Sequence, residues 1–133
     1  MTLYADSSAL LKRYIDEPDS DRAMELLASD EELVTGRHTS VEVRRNLARL
    51  LEPAAAVSAR AALIDDLAAF AVIELDEGTC ELAASIAELT GVRTLDALHL
   101  GAAQRLGTSL TFLTFDARQA QAARALGFTV AGV

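Results

Sequence analysis

The feature that most constrains the fold is a regular alternation of short apolar runs with longer segments of helical periodicity. The apolar runs do not alternate with polar residues, which is typical of strands that are buried on both faces. Strands that alternate with helices form a parallel sheet covered by helices on both sides. We therefore predict an α/β/α sandwich with a short central parallel sheet. The predicted strands are Thr2–Asp6, Glu32–Thr35, Ala71–Leu75, Leu110–Thr114 and Phe128–Ala131.

Proline and glycine mark the ends of several predicted helices. Pro18 is expected to open the second helix, Pro53 forces a break between two long helices, and Gly91 is expected to cap a helix C-terminus. The sequence contains no repeat, linker or low-complexity segment, so we expect residues 1–133 to form one domain. The predicted helices are Ser8–Ile15, Asp19–Ser29, Thr39–Leu51, Ala54–Ala69, Glu77–Leu89, Leu95–Leu106 and Ala117–Leu126.

Cysteine use and hydropathy limit the class of protein. Cys80 is the only cysteine, so an internal disulfide is excluded, and its apolar helical surroundings predict a buried structural thiol. No apolar stretch approaches the roughly 20 residues that span a bilayer, so no membrane association is expected. The N-terminus has the pattern of a strand rather than a signal peptide, and we therefore expect a cytoplasmic protein.

The chain carries a net charge of −8, whereas enzymes that act on nucleic acids usually present a positive field to phosphate. Most of this charge lies in residues 16–32, which we interpret as a solvated helix face. Four arginines follow that segment. Their pattern is typical either of an RNA-binding surface or of an ordinary charged helix surface. The acids are Asp16, Glu17, Asp19, Asp21, Glu25, Asp30, Glu31 and Glu32, and the arginines are Arg37, Arg44, Arg45 and Arg49.

Four acids lie at the ends of predicted elements. Asp6 and Asp116 each follow an apolar strand, while Glu42 and Asp96 stand in the first turns of helices. Each has a structural explanation of its own. The two strand-end aspartates suit helix N-caps, Glu42 suits a capping box with Thr39, and Asp96 suits the positive end of a helix dipole.

Taken together, the four acids favour a metal site. A parallel sheet places strand carboxyl ends and the following helix starts at one edge, which is where ligands bind in such folds. Carboxylates that converge there repel one another unless a cation intervenes. Mg²⁺ prefers hard oxygen ligands and needs only a few carboxylates. One such ion, or two about 4 Å apart, activates a water and stabilises charge on a phosphoryl group.

Other chemistries find less support in the sequence. The chain lacks a glycine-rich phosphate loop and the usual motifs of a serine nucleophile. His38 and His99 are the only histidines. His99 lies one helical turn after Asp96, and we interpret it as a core or surface residue rather than a ligand. With one cysteine and two histidines far apart in the chain, a zinc site is not expected.

The same residues match the pattern of a known family. The chain resembles PIN-domain proteins, and among them the VapC-like toxins of bacterial and archaeal toxin–antitoxin systems. The resemblance spans nearly the whole chain and rests on four short motifs, each weak alone and specific in this order. They are Tyr4-Ala5-Asp6-Ser7-Ser8-Ala9-Leu10-Leu11-Lys12, Thr39-Ser40-Val41-Glu42-Val43, Thr94-Leu95-Asp96-Ala97-Leu98-His99-Leu100 and Leu113-Thr114-Phe115-Asp116.

The resemblance implies a PIN-like fold and a metal-dependent endoribonuclease, a hydrolase that cuts RNA phosphodiester bonds. It implies Asp6 and Asp96 as the most direct ligands of Mg²⁺, with Mn²⁺ as an alternative. Glu42 and Asp116 would bind metal directly or through water and position the attacking hydroxide. Beside them, the resemblance implies supporting roles for two hydroxyl residues, Ser7 and Thr114.

The resemblance also implies partners. Proteins of this kind form homodimers or hetero-oligomers with a cognate VapB-like antitoxin. The tail of the antitoxin occupies the groove beside the acids, and its other end binds DNA. Any connection of this chain to transcription would then be indirect.

Two other classes of protein remain open at this point. The first is a non-catalytic PIN-like binding module in which the acids serve only as helix caps. The second is a phosphoacceptor receiver domain, also a parallel α/β sandwich of similar length. A receiver calls for an acidic pair after the first strand and a lysine late in the chain. Here Asp6 is followed by two serines, and no lysine follows Lys12.

Overall fold

The computed structural model describes residues 2–29 and 32–133, which form five strands and seven helices. The strands are β1 (Thr2–Ala5), β2 (Glu32–Gly36), β3 (Ala71–Ile73), β4 (Thr111–Thr114) and β5 (Thr129–Gly132). The helices are α1 (Ser7–Leu11), α2 (Ser20–Ala28), α3 (Thr39–Leu50), α4 (Pro53–Ala69), α5 (Glu77–Thr90), α6 (Thr94–Gln104) and α7 (Ala117–Ala125).

All five strands are parallel and lie in the order β3-β2-β1-β4-β5, which confirms the predicted sheet. Chain order reverses between β1 and β4, and ligands in such sheets bind outside the carboxyl ends of the strands at this switch point. A receiver domain has the strand order 2-1-3-4-5. The observed order therefore argues against the receiver alternative.

The sheet is buried on both faces because its side chains alternate along each strand. Tyr4 and Phe112 pack on one face with Leu100 of α6. Leu3 and Leu113 pack on the other face, where residues of α1 and α2 cover them. This confirms the sandwich and explains why the strands read as continuous apolar runs.

A third cluster holds the helices beyond the sheet edge together. Leu10 of α1, Val43 and Leu47 of α3 and Leu63 of α4 are all buried and in contact. This packing sets α1 beside the start of α3. Consequently the residues that follow β1 come close to those that open α3.

Most predicted boundaries agree with the structure, and the differences have local causes. Helix α1 ends at Leu11 instead of Ile15, because the chain continues in tight turns in which Arg13 and Tyr14 bond to Asp66. Pro18 lies outside α2, whose N-cap is Asp19, so the prediction that Pro18 opens that helix is wrong. The predicted break between α3 and α4 is present, and α4 begins at Pro53, one residue before the predicted start at Ala54.

Several smaller expectations can also be compared with the structure. Gly91 caps α5 at φ 74°, as predicted, because a left-handed residue needs no Cβ there. Cys80 is exposed, so the prediction of a buried thiol is wrong. In the acidic segment, Glu17 Oε1 lies 3.3 Å from the Nζ atom of Lys12. Asp30 and Glu31 of this segment fall outside the described residues. None of the helices described is long and apolar enough to cross a membrane.

Helices α5 and α6 pack unusually closely at Gly101, and this contact yields a stability prediction. A Cβ added at Gly101 would lie 2.9 Å from the backbone nitrogen of Ala83. Gly101→Val should therefore lower the free energy of unfolding by on the order of 2–3 kcal/mol, as overpacking of cores does. Denaturant unfolding measures this, with Ser85→Val on the exposed side of α5 as the matched control. A Gly101→Val protein as stable as the parent would contradict the close packing.

Candidate functional site

Asp6 occupies the switch point between β1 and β4. It follows β1, serves as the N-cap of α1, and is only 4% exposed. Its Oδ1 accepts hydrogen bonds from Ser8 Oγ at 2.7 Å and from the Ala9 backbone at 3.0 Å. Its Oδ2 accepts a bond from Thr114 Oγ1, at the end of β4, at 2.5 Å. Thr114 thus holds the carboxylate across the junction of the two strands.

Burial raises the pKa of Asp6 above its ordinary value, because a buried carboxylate loses the stabilisation of water. Charge interaction with His99 and the hydrogen bonds from Thr114, Ser8 and Ala9 oppose this rise without cancelling it. The N-cap role that the sequence suggested is real. It does not account for the burial or for the bond from Thr114.

Asp96 and Asp116 lie near Asp6 at the same edge. Asp116 caps α7 and accepts hydrogen bonds from the backbone nitrogens of Arg118 and Gln119. The side-chain amide of Gln119 donates to the Asp96 carbonyl at 3.3 Å, which ties α7 to the first turn of α6. Among the residues that the structure describes, the buried Oε1 of Gln119 has no hydrogen-bond partner.

The pKa of Asp96 is raised, first by burial and then by the negative charge of Asp116, with a smaller contribution from Asp6. Arg93 and His99 oppose the rise. The negative charges of Asp116 and Asp6 therefore both act on Asp96. A divalent cation would relieve this repulsion, and their oxygens are the hard ligands that Mg²⁺ and Mn²⁺ accept. The donor set thus fits such an ion.

Glu42 has different surroundings from the three aspartates. Its Oε1 accepts a hydrogen bond from Ser7 Oγ at 2.5 Å and lies 2.8 Å from His99 Nε2. Burial raises the pKa of Glu42, but the hydrogen bond and charge of His99, the Ser7 hydroxyl and the charge of His38 together bring it below its ordinary value.

The capping-box interpretation of Glu42 is wrong. His38, not Thr39, is the N-cap of α3, and its side chain makes no cap hydrogen bond. The Thr39 hydroxyl lies 2.7 Å from the Thr35 hydroxyl instead. Glu42 is therefore free of the helix backbone and its carboxylate is aimed at α1 and α6.

Both histidines belong to the surroundings of Glu42. His99 is 2% exposed, its Nδ1 lies 2.9 Å from the Tyr4 hydroxyl, and its Nε2 faces the Glu42 carboxylate. The His38 ring lies 3.9 Å from the His99 ring, centroid to centroid. Burial, followed by the charge of His99, lowers the pKa of His38 to about 4, despite small opposing effects of Glu42 and the Leu95 backbone.

The predicted site residues thus fall into two groups at one sheet edge. Asp6, Asp96 and Asp116 interact through charge, with Thr114 bound to Asp6. Glu42 lies with Ser7 and the histidines. Within the described ranges, His38, Glu42 and His99 form the one group of three or more potential ligands whose donor atoms all lie within 4.8 Å of one another.

Sequence reasoning missed the histidines, Tyr4 and Gln119. A usable signal existed for His99, because Asp96 and His99 are one turn apart on α6 and share a face. His38 likewise lies four residues before Glu42. Tyr4 opens the first motif but has no predicted role there, and Gln119 lies in none of the motifs, so only the packing of β1 and α7 reveals what they do.

A cleft of about 640 Å³ opens beside Asp96. Arg93 and Arg118 lie on its rim, and Arg93 Nε is 3.6 Å from Asp96 Oδ2. The arginines singled out in the sequence are not part of it, and Arg37 instead pairs with Glu74. The cleft is lined by Leu89, Thr90, Gly91, Val92, Arg93, Asp96, Arg118, Gln121, Ala122, Ala125 and Leu126.

Comparisons with known proteins agree with this geometry. The PIN domain family model matches residues 3–125. Ribonuclease VapC46 of Mycobacterium tuberculosis is 36% identical over 129 residues, which cover 96% of this chain and 95% of that protein. Ribonuclease VapC47 of the same species is 35% identical over 134 residues, covering 97% and 95%. The solved structure of FitAcB from Neisseria gonorrhoeae has the same fold, with a TM-score of 0.76, 22% identity and coverage of 96% and 95%.

The raised pKa of Asp96 predicts that Asp96→Asn stabilises the protein at neutral pH when EDTA removes metal. The wild-type carboxyl holds its proton more tightly when folded, so wild-type stability falls as pH rises from the ordinary value of about 3.9 through the raised one. Asparagine does not titrate. The stability of Asp96→Asn relative to the wild type should therefore grow as pH rises from the ordinary to the raised pKa of Asp96, and level off above it. Denaturant unfolding from pH 4 to 8 measures it.

Asp76→Asn is the control of opposite sign. Hydrogen bonds from Thr79 lower the pKa of Asp76, so this variant should lose stability as pH rises, relative to the wild type. An Asp96→Asn protein less stable than wild type at pH 7 in EDTA would contradict the mutual repulsion of the aspartates.

Proposed function

The chain belongs to the PIN-domain family, and on that basis we propose that it is a metal-dependent endoribonuclease and the toxin of a VapBC-type toxin–antitoxin pair. The observation that carries this proposal is the convergence of Asp6, Asp96 and Asp116 where chain order reverses between β1 and β4. Helix caps alone need no such convergence. The ribonuclease names of the two Mycobacterium tuberculosis relatives support the choice of RNA as substrate.

In this proposal residues 1–133 form one nuclease domain, and Asp6 and Asp96 hold Mg²⁺ or Mn²⁺ most directly. Asp116 and Glu42 bind the same ion, either directly or through a water molecule. When bound, the ion activates a water and offsets negative charge on the phosphoryl group. Thr114 keeps Asp6 in place through its bond to Oδ2, and Ser7 does the same for Glu42.

The cleft beside Asp96 provides a place for the RNA backbone. Arg93 and Arg118 are both exposed and stand on its rim, so their guanidinium groups can pair with phosphate oxygens. Two arginines against one aspartate among the lining residues give the cleft a positive local charge, although the whole chain has a net charge of −8. The acidic segment lies in and around α2.

The partners in this proposal are RNA, a second copy of the chain and a cognate VapB-like antitoxin. Structures of the same fold include VapBC complexes from Rickettsia felis and Salmonella typhimurium that are bound to DNA. In this chain the apolar side chains of Val41 on α3 and of Val57 and Ile64 on α4 are more than half exposed. We expect association to involve these two helices. A cytoplasmic location remains a prediction from the sequence.

Asp6→Asn and Asp96→Asn should each lower metal-dependent RNA cleavage by at least about 100-fold, because loss of a ligand should cost no less than loss of its hydrogen-bond support. The assay uses a mixed cellular RNA pool with Mg²⁺, Mn²⁺ or EDTA, with circular dichroism to show that each variant is folded. Glu88→Gln, an acid-to-amide change at an exposed position of α5, is the matched control. Full activity in either aspartate variant would disprove the assignment, and cleavage absent with every metal would favour the binding module.

Arg118→Ala should weaken RNA binding by several-fold and reduce the salt dependence of binding by about one unit of slope, as loss of one phosphate contact does. Filter binding of RNA to the Asp6→Asn protein, across salt concentrations, separates binding from cleavage. Arg22→Ala on α2 removes an exposed arginine elsewhere and should change neither quantity. Equal effects of the two changes would mean that the cleft rim has no special part in binding.

A further inference from the structure

His38 is a buried polar side chain without a well-formed hydrogen bond, although the Leu95 backbone and the Glu42 carboxylate lie near its ring. Its side chain is 7% exposed, and neither ring nitrogen has a hydrogen-bond partner within the described residues. The ring lies against Gly36, where an added Cβ would come within 2.6 Å of His38 Cε1. Burying a polar group without a partner costs about 1–3 kcal/mol, so such a group points to a ligand.

We propose that His38, Glu42 and His99 bind a divalent transition-metal ion, Zn²⁺ being the representative, at a site distinct from the three aspartates. The donor atoms of these residues lie within 4.8 Å of one another, and Glu42 Oε1 is 3.9 Å from His38 Nε2 and 2.8 Å from His99 Nε2. Tetrahedral Zn²⁺ with nitrogen and oxygen ligands separates its donors by about 3.3 Å. Small side-chain movements therefore complete the site.

The donor set favours a transition metal over Mg²⁺. Two imidazoles and one carboxylate are a set that Zn²⁺ uses, leaving a fourth position open, whereas Mg²⁺ prefers oxygen alone. His99 also has the outer support that metal-bound histidines show, because with Nε2 on the ion its Nδ1–H can donate to the Tyr4 hydroxyl, which lies 2.9 Å away. Glu42 is the most exposed of the three side chains, at 21%, and provides the way in for an ion.

The fold supplies what the sequence does not suggest. The sequence argued against zinc because the two histidines lie far apart in the chain. His38 lies in the short turn between β2 and α3. Helix α6 packs against β2, and this contact brings His99 beside His38.

The effect of this site on activity rests on the proposed function. Glu42 is shared, since the same carboxylate is assigned to the aspartate site. Zn²⁺ held by the histidines keeps Glu42 from acting with Asp6 and Asp96. Zn²⁺ should therefore inhibit RNA cleavage in the presence of Mg²⁺.

Binding is tested on tag-free protein carrying Cys80→Ser, which removes the one exposed thiol as a competing ligand. Co²⁺ should give the intense visible absorption of a tetrahedral site, and Zn²⁺ should abolish it. Calorimetry should show Zn²⁺ binding at one site, weakened at least about 100-fold by His38→Gln, because a direct ligand is lost. Asp96→Asn should change Zn²⁺ affinity by less than about threefold, since Asp96 lies outside the three ligands.

The outcomes separate the alternatives. If the folded Cys80→Ser protein shows no Co²⁺ absorption band, the proposal is overturned, and this result needs no variant of a ligand residue. Loss of Zn²⁺ binding in Asp96→Asn but not in His38→Gln would place the ion among the aspartates and also overturn it. Should His38→Gln fail to fold, His99→Gln takes its place.

Inhibition is measured separately, as the fraction of each protein's own Mg²⁺-dependent rate that remains when Zn²⁺ is added. Cleavage by the Cys80→Ser protein should be inhibited at Zn²⁺ concentrations that leave His38→Gln uninhibited. Equal inhibition of both would overturn the claim that Zn²⁺ acts through Glu42. If neither protein cleaves RNA with any metal, the proposed function fails, while the Co²⁺ and calorimetric results still decide the zinc site.

Discussion

The parallel pairing of β1 with β4 is the constraint on which the rest of the site depends. This pairing sets Leu3 opposite Thr111 and Ala5 opposite Leu113, so both strands end at the same level. Asp6 then meets Thr114, and Asp116 starts α7 close by. Helices α1 and α7 begin at this edge. Their unpaired backbone N–H groups therefore donate hydrogen bonds to the carboxylates of Asp6 and Asp116.

The same edge holds carboxylates in opposite electrostatic states. Burial raises the pKa of Asp6, and burial together with the charges of Asp116 and Asp6 raises the pKa of Asp96, so both carboxyls resist ionisation in the absence of a cation. Glu42 has a lowered pKa because His99 and Ser7 stabilise its charge. Asp6 and Asp96 therefore need an added positive charge before they ionise readily, whereas His99 and Ser7 already stabilise the negative charge of Glu42.

The location of the acids could be predicted from the sequence, but not how they divide into groups. Strand-end positions such as Asp6 and Asp116 follow from the apolar runs, and a parallel sheet brings such positions to one edge. The partners of Glu42 depend on how α1 packs on α3 and how α6 packs on β2, and helical periodicity does not encode these contacts. The same holds for Arg93 and Arg118, whose common cleft exists only after α7 has packed beside the turn that follows α5.

Thr114 and Asp6, whose hydrogen bond anchors the site, are separated by 108 positions along the chain. Bringing together residues so far apart in the chain costs conformational entropy. A growing polypeptide on the ribosome has its first strand and Asp6 early, yet it lacks β4 and α7 until most of the domain has been made. Partial translation products and fragments that end before β4 therefore lack an assembled acidic centre. A cell that makes this protein is exposed to an assembled centre only after synthesis has passed β4 and α7.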